Sequence, residues 1–203
     1  MGNLESVRLP GIPEALHWAA PPVDWELNTE QELRITAGPR TDLFIDPGQT
    51  AVFGNAPRLL FTPEGDFMLQ ARVTVDFAAT FDAGVLLLYG DDAVWAKLCF
   101  EFSPQGEPMI VSVVTRGYSD DANSVVVGSN TVLLRIARLA PAFAFHWSED
   151  GTAWHFVRHF TLPATGAFRA GFASQSPTGD GCSARFSEIV FTPGRLQDLR
   201  NGV

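Results

Sequence analysis

The chain predicts an all-β fold, a two-sheet antiparallel sandwich, and three observations lead there. About twelve short apolar runs follow one another at hairpin spacing. Turn clusters such as "SPQGEP", "SEDGT", "LPATG" and "SPTGDG" separate them, with Gly, Pro and Asp setting the backbone. No long segment carries helical periodicity, so there are no crossover helices to build a parallel sheet.

The elements follow in chain order. "WAAPPVDWEL" opens as an aromatic, proline-rich segment, and "ELRITAG" and "DLFIDP" add two strands. "FMLQARVTVDF" alternates, with Phe67, Leu69, Ala71, Val73, Val75 and Phe77 on one side and Met68, Gln70, Arg72, Thr74 and Asp76 on the other. "AGVLLLYG", "VWAKLCFEF", "MIVSVVTRG", "SVVVGS" and "TVLLRIARL" continue the pattern. "AFAFHWS", "WHFVRHFTL", "FRAGFAS" and "SARFSEIVF" complete it. "GYSDDANS" reads as a loop. The whole chain, 1–203, reads as a single domain with a core over about 18–193 and a polar, loose tail over 194–203.

Composition narrows the function. With 46% apolar residues, 16 phenylalanines and 18% charge, the chain can bury a sizeable core. A net charge of −9 argues against nucleic acid, whose non-specific binding needs lysine and arginine to displace counterions. No apolar run is long enough to span a bilayer, and the start lacks a signal-peptide pattern. The expectation is a soluble, cytoplasmic protein. Cys99 and Cys182 lack metal-ligand spacing, and His155 and His159 on one strand lie roughly 13 Å apart. Asp120, Asp121 and Asn123 do not follow an EF-hand pattern. No metal and no cofactor are expected.

"VWAKLCFEF" places Leu98, Phe100 and Phe102 on one face and Trp95, Lys97, Cys99 and Glu101 on the other. The apolar pattern of the next run sends Met109, Val111 and Val113 to the core with Phe100 and Leu98, leaving Ser112, Val114 and Arg116 beside Lys97. The same reasoning turns Arg135 outward. One non-core face then collects Trp95, Lys97, Glu101, Ser112, Arg116 and Arg135. Either it is a solvated sheet face with ordinary ion pairs, or it is a groove where an aromatic packs on a sugar and charged groups bond its hydroxyls. In "FHWSEDGTAWHFVRHF", Phe143, Phe145 and Trp147 share one face, and Trp154, Phe156, Arg158 and Phe160 share another. Arg158 needs a carboxylate, a carbonyl or an aromatic face as partner, and Glu101 or Asp42 would serve.

"PPVDWEL", "TDLFIDP", "GDFMLQARV", "DAGVLLLYGDDAVWAKLCFEF", "VSVVTRGYSDD", "LLRIAR", "HWSEDGTAWHFVRHF" and "GFASQSPTGDGCSARF" occur in one order from about Trp18 to Phe191. In this the chain resembles the YesU-like family, also named for a yeast regulator of enolase, within the concanavalin A-like lectin and glucanase jelly rolls. The resemblance implies a jelly roll with sugar binding on its concave sheet. Its recurrent polar positions fall on Asp42, Lys97, Glu101, Thr115, Ser119, Asp120, Arg135, Arg158 and Ser176.

Three functions follow in descending order. The first is a carbohydrate-binding or carbohydrate-processing jelly roll for an oligosaccharide or small polar ligand, using Trp95, Lys97, Glu101, Ser112, Thr115, Arg116, Arg135, Arg158 and Asp42. The second is a non-catalytic module that docks a protein partner. The third is a glycosidase with Glu101 as one carboxylate and Asp42, Asp120 or Asp121 as the other, since glycoside hydrolysis needs two. The balance leans against catalysis.

Overall fold

The computed structural model describes residues 6–163 and 166–203. Among these residues no helix forms, and sixteen strands build two seven-stranded antiparallel sheets and a small hairpin. The expected two-sheet sandwich is the fold.

The first sheet runs, in spatial order, through β1 (His17–Ala20), β6 (Arg58–Phe61), β15 (Arg169–Gln175), β8 (Ala83–Asp91), β9 (Val94–Phe102), β10 (Pro108–Arg116) and β11 (Tyr118–Val126). The second runs through β14 (His155–Thr161), β13 (Ala142–Ser148), β12 (Thr131–Leu139), β7 (Phe67–Val75), β16 (Cys182–Pro193), β3 (Leu33–Ala37) and β2 (Asp24–Leu27). β4 (Leu43–Ile45) and β5 (Val52–Gly54) pair only with each other.

The inter-sheet core follows from alternation. Phe67, Leu69, Ala71, Val73 and Val75 of β7 meet Leu98 and Phe100 of β9, Leu86 and Leu88 of β8, and Phe172 of β15. The polar side of β7 points outward, where Arg72 pairs with Glu188.

A second cluster lies on the outer face of the first sheet: Val85, Leu87, Tyr89, Trp95, Cys99, Met109, Val111 and Val113 are buried there beneath Leu43 and Ala56. The segment carrying β4 and β5 roofs this face, and Phe44 and Ile45 pack against the cluster. β8, β9 and β10 are therefore buried on both faces. That corrects the expected register. Ile110 pairs with Phe100 and Ser112 with Leu98, while Val111 and Val113 stand beside Cys99 and Lys97. Apolar residues on both faces of β10 left no alternation to distinguish them.

Two further expectations change. "GYSDDANS" is edge strand β11, turning from β10 at Gly117, whose φ of +84° suits a residue without Cβ. Its polar character suits an edge, because exposed charge discourages pairing with another chain. A bulge in β14 opposite Phe145 and His146 splits the four residues expected on one face. Phe156 turns outward beside His146, whereas Phe160 turns inward to Phe143 and Phe145.

The tail is docked rather than loose. Leu196 and Leu199 pack on Ala137, Leu139 and Ala144 at the outer face of the second sheet. The Leu199 carbonyl lies 2.7 Å from His146 Nε2.

Candidate functional site

The roof over the outer face of the first sheet leaves one pocket of about 160 Å³. Lys97 and Glu101 of β9, Gln175 of β15, Asp42 before β4, and Asp121 of β11 supply its polar wall. Phe44, Phe81, Val111 and Val113 supply the apolar one.

Each polar group is positioned by local structure. Lys97 and Glu101 are four residues apart on a strand, hence on one face. Asp42 is brought over them by the bridge between Thr41 and Ser176, whose backbones exchange two hydrogen bonds of 3.1 Å. The Asp42 carbonyl accepts from the Asn55 and Ala56 amides, which ties the far end of the roof to its beginning. Arg58 holds the Gly54 and Ala56 carbonyls and lies over the Tyr89 ring.

Lys97 is 3% exposed, and its ammonium donates to Asp42 Oδ1 at 3.1 Å and to Gln175 Oε1 at 2.9 Å. An ammonium can only donate, so Gln175 must offer its oxygen here and turn its NH₂ the other way. That NH₂ donates to the Phe81 carbonyl at 3.2 Å and to Glu101 Oε2 at 3.4 Å. A directed row results, from Asp42 through Lys97 and Gln175 to Glu101. The glutamine, which sequence reasoning did not single out, is its central link.

The charges of this row respond to burial. Glu101, 9% exposed, is pushed up to about 8: burial raises it most, Lys97 lowers it, and Asp42 and Asp121 raise it. Near neutral pH it is chiefly a protonated acid. For Lys97 burial works to lower the value, but the pull of Asp42, Cys99 and Glu101 outweighs it, so its charge is held above the ordinary lysine range. Burial likewise pushes the Cys99 thiol up, and both cysteines are free and buried. Cys99 is therefore a packing residue, not a nucleophile.

The sequence-derived site residues divide. Asp42, Lys97 and Glu101 line the pocket together. Thr115 shares their face but is fully buried under the roof, where its hydroxyl lies 3.0 Å from that of Ser119. Ser119 in turn accepts the Ile45 amide at 2.9 Å. Trp95 is 0% exposed beneath the same roof, so it cannot serve as a platform for a ligand. Phe81, 36% exposed, takes the aromatic place instead.

Ser112, Arg116, Arg135 and Arg158 lie elsewhere. Ser112 faces the sandwich interior, and Arg158 reaches it from the second sheet at 3.5 Å while holding the Asp120 carboxylate at 2.9 Å. Arg116 sits 3.9 Å from the same carboxylate. Asp120 is therefore drawn to the open side between the two sheets and does not line the pocket with Glu101. Asp121 replaces it, because adjacent residues on β11 point to opposite faces. Arg135 belongs to the outer face of the other sheet. It bonds Gln70 Oε1, stacks 3.5 Å over the Trp154 ring and donates to the Gly202 carbonyl.

Phe81 sits at a φ of +70°, rare for an aromatic residue and of a kind that clusters at ligand sites. Asp82, fully buried, holds this turn: its carboxylate accepts the Ala78 and Ala79 amides at 2.9 and 2.8 Å and the Ser176 hydroxyl at 2.7 Å. Asp82→Ala strands three donors and is expected to cost about 2–3 kcal/mol. Urea unfolding measures it; a loss below about 0.5 kcal/mol would show that water replaces the carboxylate.

No group of three or more His, Cys, Asp or Glu able to hold a metal ion occurs among the described residues. A family model described as "Protein of unknown function (DUF1349)" matches residues 18–194. The chain belongs to the DUF1349 family. No curated protein matches it at a significant level.

Solved structures share the DUF1349 chain's fold. A functionally unknown protein from Saccharomyces cerevisiae superposes with a TM-score of 0.81 at 22% identity, over 89% of this chain and 97% of the yeast one. The GH43 protein BlXynB (K247S mutant) from Bacillus licheniformis gives 0.69 at 15% identity, over 93% of this chain but 38% of its own. An alginate lyase from Klebsiella pneumoniae gives 0.53 at 14% identity, over 84% of both chains. At such identities the likeness is one of fold.

Proposed function

We propose that the pocket between the β4–β5 roof and the first sheet binds carbohydrate, one terminal sugar residue at a time. The observation that carries this reading is the pairing of walls. Lys97, Gln175 and Glu101 form a row of hydrogen-bonding groups opposite Phe44 and Phe81. A sugar ring presents hydroxyls along its edge and C–H groups on its face, so it needs both. A cavity of about 160 Å³ accommodates a single small ring. The carbohydrate-active proteins among the structural neighbours support the reading, as does the YesU-like resemblance, three of whose recurrent positions line this pocket.

A glycosidase is the second reading, and one observation favours it. Glu101 keeps its proton near neutral pH beside Asp42 and Asp121, as a general acid with a nearby carboxylate base would.

A panel of mono- and oligosaccharides tests binding by thermal unfolding. At a concentration tenfold above Kd, a ligand adds about 1.4 kcal/mol, which for a chain of this length raises Tm by about 3–5 °C. Glu101→Ala is expected to lose the shift. A panel without any shift in the wild type overturns the binding reading; hydrolysis by wild type and not by Glu101→Gln would establish the enzymatic one.

A further inference from the structure

Three carboxyl groups and one ammonium meet in the pocket, and the ammonium is already committed. Lys97 spends two of its three donors on Asp42 and Gln175. Its charge is balanced locally by Asp42, to which it forms a salt bridge at 3.1 Å. Asp121 enters from the more open edge strand and forms no ion pair among the described residues. Glu101 is more than nine-tenths buried and receives a single long bond, at Oε2. Among the described residues nothing donates to its Oε1. Oε1 is not sealed from solvent, so the pocket offers an incoming donor a free carboxyl oxygen beside Asp121, a carboxylate with no ion-pair partner among those residues.

We propose that the pocket takes an amine-bearing sugar, its ammonium seated between Glu101 and Asp121, and rejects sugars that carry a carboxylate. The proposal rests on the carbohydrate reading above and adds the chemical class of the ligand. A ligand ammonium supplies three donors at once, which the free Glu101 oxygen and the Asp121 carboxylate can accept. A ligand carboxylate would meet Asp42 and Asp121 with no free positive group, which disfavours it at short range.

The proton follows from the same contacts. The groups facing Glu101 are Lys97 and Cys99 on its own strand, Asp121 on β11, and Asp42 in the roof; Ala83, Met109 and Gln175 are its uncharged neighbours. In the free protein the acid is held protonated by burial. An arriving ammonium replaces the missing positive charge, so Glu101 gives its proton to the buffer as the ligand binds.

Calorimetry at pH 7 with glucosamine, glucose, glucuronate and ethanolamine, each in two buffers of different ionisation enthalpy, tests this. Glucosamine is expected to bind about tenfold more tightly than glucose, with close to one proton released, and glucuronate not to bind. Asp121→Asn, at an exposed position whose change leaves the fold intact, should remove most of that preference. Glucose binding as tightly as glucosamine without proton release, or an unchanged preference in Asp121→Asn, overturns the inference and leaves the sugar site standing. Ethanolamine binding with proton release while no sugar binds would instead overturn the sugar reading and keep the charge preference. Silence from all four ligands removes both.

Discussion

Lys97→Met is expected to lower the unfolding free energy by about 2–4 kcal/mol, because removing one member of a buried ion pair leaves the other uncompensated. The methionine fills much of the same volume. What is lost is the donor to Asp42 Oδ1 and Gln175 Oε1, and with it the bond that seats the roof on the sheet. Asp42 is 15% exposed at its side chain, so water relieves part of the penalty and keeps the effect at the lower end of the range for a fully sealed pair. The lysine also lowers the Glu101 value, so its loss should move that titration further up. Urea unfolding reads the first effect and carboxyl NMR the second. Adding Asp42→Asn should cost less than the sum of the two single changes, since the pair acts as a unit. Strict additivity would mean that the contact contributes little.

Glu101→Gln should make the protein more stable at high pH. In the wild type the folded state keeps the Glu101 proton to about pH 8, whereas the unfolded chain releases it near 4.5. Between those values the folded state binds more protons, so stability falls as pH rises through the window. Three and a half units correspond to a few kcal/mol, on the order of 4–5 if nothing else relaxes. Glutamine carries no titrating proton and can still meet the Gln175 amide. The variant should match the wild type near pH 4 and exceed it by several kcal/mol at pH 9. Urea titrations at pH 5, 7 and 9 decide it. Equal slopes against pH in the two proteins would show that Glu101 is ionised in the folded state throughout, and would remove the basis for its role as an acid.

Much of the architecture was legible because strand alternation is a local property. The run of β7 declares its two faces without help, and so does the split of β9 into an apolar side and one bearing Lys97 and Glu101. That pair, with Asp42, is the part of the site that the sequence located. β1, β2, β5 and β6 were not separately legible. They are three or four residues each, and β6 is buried at every position, so it carries no alternation.

The rest of the site depended on contacts between distant segments. The primary structure determined an all-β chain with a strand carrying a lysine and a glutamate on one face. Only the folded molecule decided what that face adjoins. The roof buries Trp95 and turns β10 into a strand apolar on both sides, which erases the signal for its register. Residue-level alternation sends Asp120 and Asp121 to opposite faces once their segment is a strand, a state its polar composition concealed. Arg135 found its partners on its own sheet and in the tail, and Arg158 found Asp120 across the sandwich. Gln175, Phe81 and Asp82 were not singled out, because an amide and an exposed ring acquire their roles from neighbours tens of residues away, and the Asp82 carboxylate joins its local turn to the distant Ser176. Charges in water are nearly indifferent to such placement; it is exclusion of solvent by the assembled sheets that gives Lys97 and Glu101 their chemistry.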